Sequence, residues 1–414
     1  MRRNAEAVPE IARLEEVFYD AEGFDAWLED TADGIASLSL SSFGVKEADL
    51  REICNLAFTP GHMIIAGGTI VSSLMSEKMI RRFGTGIVTV GSVTLTALAL
   101  FGFSISHSFA AICLWSIPYG LGAGSVDAAL NNFVAVHYQS RHMNWLHSFW
   151  GIGATLGPSI MGLCLTHGLN WTGGYRAVGI FQTVLVALLI FSLPLWKKQQ
   201  VRPLAQMKMT GSRGIRGALA LPGARQTLIA FFCYCSLETT AGLWASSYMA
   251  TNRGIDAETA ATMASLFYLG ITGGRLLSGF VAAKLDDRRM VRFGLAFTLL
   301  GVLLILLPLS NMTLFAGLVT LGLGCAPIYP ALLHETPENF GQEQSQTLMG
   351  MQMATAYTGS TLMPMVFGLI AQSIGIVLYP VYLMLFLVGM AAATESATRV
   401  FNARQKIRAE EPRT

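Results

Sequence analysis

Residues 67–84 read GGTIVSSLMSEKMIRRFG, and residues 273–294 read GGRLLSGFVAAKLDDRRMVRFG. Each stretch opens on a glycine pair, runs through an apolar segment, meets a short basic cluster and ends on Phe-Gly. The shift from Gly67 to Gly273 is 206 residues. Two further pairs keep nearly that spacing. GATLGPSIMG, ending at Gly162, returns as GSTLMPMVFG, ending at Gly368, and YGLGAGS at Tyr119 returns loosely as LGLGCAP at Leu321. Three anchors at almost one spacing describe two homologous halves, the plan of a duplicated bundle.

Composition names the solvent of those bundles. Hydrophobic residues make up 52% of the 414 and charged residues 13%, with a mean hydropathy of +0.49. A water-soluble domain of this length carries far more charge. Apolar stretches of about 20 residues, the length that crosses a bilayer core, recur between Pro60 and Ala397, and eleven can be counted. The expected fold is all-α and polytopic, two pseudo-symmetric helical bundles with about 11 transmembrane helices. Residues 1–57 read as a soluble acidic N-terminal helical segment and 58–196 as a bundle of five spans. Residues 197–226 read as a basic linker, 227–398 as a bundle of six spans, and 399–414 as a tail.

Lys and Arg set the orientation, because cytoplasmic loops hold their excess. Lys78, Arg81 and Arg82 follow the first span, Arg141 the third, and Lys284, Arg288, Arg289 and Arg292 the seventh; the linker and the tail are basic as well. The intervening loops hold only Arg176 and Arg253. Alternate loops and the C-terminus are therefore expected in the cytoplasm, in a multi-pass protein of the cell membrane. Up to Ala57 the chain runs the other way, with thirteen acids against five bases. Of six Cys only Cys54 lies outside a proposed span, which argues against a disulfide framework.

Two like bundles joined by a basic link, each with a glycine-rich helix followed by a short basic loop, resemble the major facilitator superfamily. GLGAGSVDAALNNFV, then NWLHSFWGIGATLGP, then LETTAGLWASSY resemble its fucose-permease-like group. The resemblance covers about Gly61 to Ala397. It implies secondary active transport of a small polar solute by alternating access, a sugar or sugar-like compound with a proton as coupling ion and no cofactor. It also implies six helices per half. The helix over Thr227–Ala250 should have a counterpart near residues 21–44, where the acidic AEGFDAWLEDTADGIASLSLSSFG stands instead. The usual first transmembrane helix is thus expected to be replaced by a soluble segment. Within that segment LSSFGVKEADLREICNLAF is similar to a short piece of iron-containing alcohol dehydrogenases, without His and without a metal-binding pattern.

Polar residues inside spans mark candidate sites, since a charge there costs at least roughly 2.5–3.5 kcal/mol on insertion scales. Asp127 has Asn131 one helical turn on, on the same face. Its environment suits a carboxyl that binds and releases a proton, and in the resembled group an acid at the matching place is linked to proton coupling. Helix-to-helix hydrogen bonding is the plainer role. Asn144, His147 and Trp150 share a stretch in which His147 could relay a proton or bond a hydroxyl, and Trp150 could stack on a sugar ring. Glu238, with Trp244 nearby, has Arg275 as its expected partner, either a structural ion pair or one that opens as the bundles rock. Gln352 is the weakest candidate.

The glycine-rich runs lie inside apolar helices, and no Walker motif, His-x-x-x-His site or Gly-x-Ser-x-Gly elbow occurs. Neither ATP-driven transport nor enzyme chemistry has support. The expected partners are the lipid bilayer and a small solute, with no nucleic acid, and the chain is expected to be a monomer. A drug or metabolite exporter with the same spans, and a membrane sensor that no longer transports, remain open.

Overall fold

The computed structural model describes residues 60–199, 214–307 and 309–410. The reading of residues 1–57 as an acidic helical segment, including its place as a substitute for a first helix, falls outside them, as do residues 200–213 of the linker. Among the described residues eleven helices are long and apolar enough to cross a membrane.

The first half holds α1 (Pro60–Phe83), α2 (Thr85–Ser104), α3 (Phe109–His137), α4 (Ser140–Thr166) and α5 (Asn170–Gln199). A short α6 (Gly214–Leu219) leads into the second half, α7 (Ala224–Arg253), α8 (Ala257–Val281), α9 (Asp287–Leu306) and α10 (Asn311–His334). There follow a single turn α11 (Thr336–Phe340), α12 (Gln342–Ser373), a 3₁₀ turn over Ile376–Leu378, and α13 (Tyr379–Glu410). The spans start where capping chemistry allows. Ser108, Asp256, Asp286 and Ser310 each accept a hydrogen bond from the backbone N–H three residues on, one of the donors a helix start leaves unpaired. Gly254 ends α7 in the left-handed conformation that glycine adopts without strain.

The repeat seen in the sequence is a repeat of contacts. In the first half α1 packs on α3, α2 on α3, and α2 on α5. In the second, α8 packs on α10, α9 on α10, and α9 on α13. The anchoring glycines sit where backbones touch. A Cβ on Gly122 would stand 2.5 Å from the Ser92 carbonyl oxygen, and one on Gly324 would stand 2.3 Å from the Thr298 nitrogen. Ser92 and Thr298 are themselves 206 residues apart.

One relationship has no described mate. In the second half α7 lies against both α12 and α13, and a Cβ on Gly359 of α12 would meet the Phe232 carbonyl oxygen of α7 at 2.7 Å. Gly153 is the repeat mate of Gly359 on α4, and no described residue comes within 4 Å of a Cβ placed there. Burial follows. The most apolar stretch of α7 is 67% buried and that of α13 44%, against 12% for α4 and 6% for α5.

The halves meet chiefly through α1 with α12, α4 with α8 and α10, and α3 with α10 and α12. Near the end that carries the basic loops, Gln346 Nε2 donates to Ser76 Oγ and to the Ala128 carbonyl, each at 3.3 Å. Ser140 Oγ donates to Asp287 Oδ1, and His334 bonds Asp287 at 2.6 Å and the Tyr138 carbonyl at 3.1 Å. Trp145 packs edge-on to Phe280 of α8 at 5.7 Å.

Candidate functional site

Asp127 sits ten residues from the end of α3, about 15 Å into the helix at 1.5 Å per residue. Its two carboxylate oxygens are held from opposite halves. Asn131 Nδ2, one turn along α3, donates to Oδ1 at 2.9 Å. The Tyr357 hydroxyl of α12 donates to Oδ2 at 2.7 Å. Among the described residues Asp127 forms no ion pair, so two neutral donors hold a carboxyl group deep in the molecule.

Asn131 extends the chain of contacts. Its Oδ1 lies 3.0 Å from His147 Nε2 on α4, and its Nδ2 also reaches the Met353 sulfur at 3.5 Å. His147 in turn stands edge-on to the Tyr329 ring at 5.0 Å, and the Tyr329 hydroxyl donates to the same sulfur at 3.3 Å. Here the duplication becomes chemistry. With the shift of 202 that relates Gly122 to Gly324, Asp127 corresponds to Tyr329; with the shift of 206, His147 corresponds to Met353. The two halves bring repeat-related positions to one place and fill them with different side chains.

The second centre is built on α7 and α8. Glu238 and Arg275 form the ion pair expected from the sequence, Nη2 to Oε1 at 3.1 Å, with side-chain exposures of 14% and 4%. Arg275 Nη2 also lies 3.4 Å from the Tyr234 hydroxyl, which donates to the Cys325 carbonyl at 3.0 Å. The Tyr234 ring lies 5.5 Å from that of Tyr329, linking this centre to the first. Arg275 is further capped from the other half, its guanidinium lying over the Trp150 ring at 5.1 Å. Trp150 itself is 50% exposed.

Of the residues singled out from the sequence, Asp127, Asn131, His147, Trp150, Glu238 and Arg275 come together. Three do not join by any described contact. Trp244 donates its indole N–H to the Pro364 carbonyl at 3.0 Å and is wholly enclosed in the second half. Gln352 exchanges hydrogen bonds with Thr336 beside α11. Asn144 is fully buried, one turn from His147, and donates to the Ser140 carbonyl. Trp145 packs between the halves. Tyr329, Tyr234 and Met353 were missed. The repeat itself marks two of them, since Tyr329 and Met353 stand where Asp127 and His147 stand in the first half.

Comparison with known proteins fits this two-centred bundle. A family model described as Major Facilitator Superfamily matches residues 227–411. The glucose/mannose transporter GlcP of Bacillus subtilis is 24% identical over 304 residues, 71% of this chain and 72% of that one. Over its second half the chain thus matches the major facilitator superfamily. Solved structures of the superfamily share its fold. FucP, the E. coli fucose:proton symporter, in its outward conformation gives a TM-score of 0.66 at 16% identity, covering 85% of this chain and 94% of that one. The proton:xylose symporter XylE gives 0.71 at 10% identity, over 90% and 92%. The chain thus shares the fold of these transporters, in agreement with the expected all-α architecture with eleven candidate spans among the described residues.

Proposed function

We propose that the chain is a secondary active transporter of a small hydroxylated solute, a sugar or sugar-like compound, driven by a proton gradient through alternating access. The observation that carries this reading is the network Tyr357–Asp127–Asn131–His147, which joins to both halves a half-buried carboxyl that has no cation among the described residues. Such a group exchanges a proton when the halves separate and its partners leave it. The solute would lie between the two centres, where Trp150 offers a half-exposed ring face and Asn131, His147, Tyr329 and Glu238 offer donors and acceptors. GlcP, FucP and XylE are named for glucose and mannose, for fucose and for xylose, the last two with protons, which supports the solute class.

In this reading the basic loops and the C-terminus face the cytoplasm of a cell membrane, on the rule that Lys and Arg gather there. The contacts of Ser140, Trp145, His334 and Gln346 then close the cytoplasmic end. The test is sugar uptake into proteoliposomes under an imposed pH gradient, with Asp127→Asn and Glu238→Gln beside the parent. Asp127→Asn should lose gradient-driven accumulation while still exchanging solute for solute. If both variants accumulate as well as the parent, the proton assignment is wrong.

A further inference from the structure

The guanidinium of Arg275 is used incompletely. It offers five N–H donors in a rigid fork suited to gripping a carboxylate with two parallel bonds. Here one nitrogen, Nη2, makes every described hydrogen bond, to Glu238 Oε1 at 3.1 Å, Oε2 at 3.5 Å and the Tyr234 hydroxyl. Nε is buried and has no partner, although the residue is only 3% exposed. A buried charged donor without an acceptor is costly. Glu238 therefore meets Arg275 end-on, and it is the more exposed of the two. On its other side the cation is presented to the opposite half by the half-exposed ring of Trp150.

We propose that Arg275 is the receptor for a carboxylate carried by the solute, and that Glu238 is the internal counter-ion holding it while the site is empty. The solute class is then a hydroxylated carboxylate of the sugar-acid type. Its carboxylate takes the fork of Arg275, and its hydroxyls reach Asn131, His147 and Tyr329. This deepens, and rests on, the reading of the site as a solute pathway.

Displacement has an electrostatic consequence. Glu238 loses its only described cation, and a solute carboxylate arriving at Arg275 adds a negative charge to the site. Besides Arg275, the groups acting on Glu238 or acted on by it are Tyr268 on α8, Tyr234 and Cys235 on α7, and Cys325 and Tyr329 on α10. None of these is a second cation. The displaced carboxylate becomes a carboxylic acid by taking one proton from the aqueous side, so the solute's negative charge enters with a compensating proton and no covalent bond changes.

The experiment is titration calorimetry on the purified full chain in lipid nanodiscs, with galactose and galacturonate as probes, in buffers of different ionisation heat. Galacturonate is expected to bind at least about tenfold more tightly than galactose, the scale of one charge-assisted contact. Arg275→Lys should remove about that advantage, because a point charge lacks the fork. Binding of galacturonate to Glu238→Gln should take up one proton fewer than binding to the parent. Thermal unfolding checks that each variant is folded. If Glu238→Gln does not fold, Glu238→Asp serves, its shorter arm competing less well for Arg275 and raising galacturonate affinity. Equal or tighter binding of galactose overturns this inference and leaves the sugar-transport reading standing. Unchanged proton uptake in Glu238→Gln overturns the displacement of Glu238. Binding of neither probe overturns this inference and the hydroxylated-solute reading together.

Discussion

Gly350→Ala would act as a wedge between the halves. Gly350 lies on α12 where that helix crosses α1, and a Cβ there would stand 2.3 Å from the Ser73 carbonyl oxygen and 3.0 Å from Ser76 Oγ. The nearer atom is backbone, so no rotamer change relieves the overlap, which amounts to roughly 1 Å against an ordinary carbon–oxygen contact of about 3.3 Å. Forcing one methyl into a well-packed contact costs about 1–3 kcal/mol. Under the alternating access proposed above, separation at this end removes the overlap completely. The equilibrium between closed and open forms should therefore shift by the whole cost, a factor of about 5–150. Spin labels on Arg82→Cys and Arg289→Cys, both exposed at the basic-loop end, report the separation by double electron–electron resonance in nanodiscs. The longer distance should gain population by that factor. Gly67→Ala is the control, since a Cβ on Gly67 meets nothing within 4 Å. An unchanged distance distribution in a folded Gly350→Ala protein would refute the wedge and with it the rigid-body account of this contact.

Other substitutions separate the site from its surroundings. Tyr357→Phe removes one donor from Asp127 and a bond between halves worth roughly 1.5–3 kcal/mol when the acceptor is charged; the same distance measurement should move toward the open form and gradient-driven uptake should fall. Trp244→Phe loses the bond to the Pro364 carbonyl, so the unfolding temperature should drop by the effect of about 1 kcal/mol while solute affinity stays that of the parent. Asp256, fully exposed, has its carboxyl held below the ordinary aspartate range by hydrogen bonds from Thr259. A group lowered on folding contributes stability at neutral pH that is lost as pH falls through its folded value. Amide exchange in the first turn of α8 should thus accelerate on acidification in the parent, and Asp256→Ala should already be fast at neutral pH.

Much of the site was legible because charge inside an apolar run is conspicuous. Glu238 and Arg275 stand out in their helices, and with two such charges on consecutive spans, pairing is the economical arrangement. Asp127 and Asn131 follow from helical periodicity. Tyr329 was not legible by the same means, because a tyrosine between Pro327 and Pro330 carries no formal charge and reads as packing; only its correspondence to Asp127 in the repeat betrays it. Trp244 and Gln352 are found bonded to other helices and apart from the described cluster. Both are polar side chains in spans, and whether such a group faces a solute or the next helix depends on a partner that sequence does not show. For Trp244 the partner is the backbone carbonyl of Pro364. The eleven spans were legible from length and hydropathy alone, since lipid admits few alternatives to a helix.

The unequal packing of the halves gives the surrounding lipid a share in the structure. Protein atoms enclose α7 on most sides, whereas the apolar faces of α4 and α5, with Phe149, Leu156, Phe181, Leu188 and Phe191 exposed, find no described protein neighbour. In a bilayer, as proposed above, acyl chains would meet those faces. Bilayer thickness and chain order then act directly on the half that carries Asp127 and His147, and detergents too short to coat those faces should melt it first.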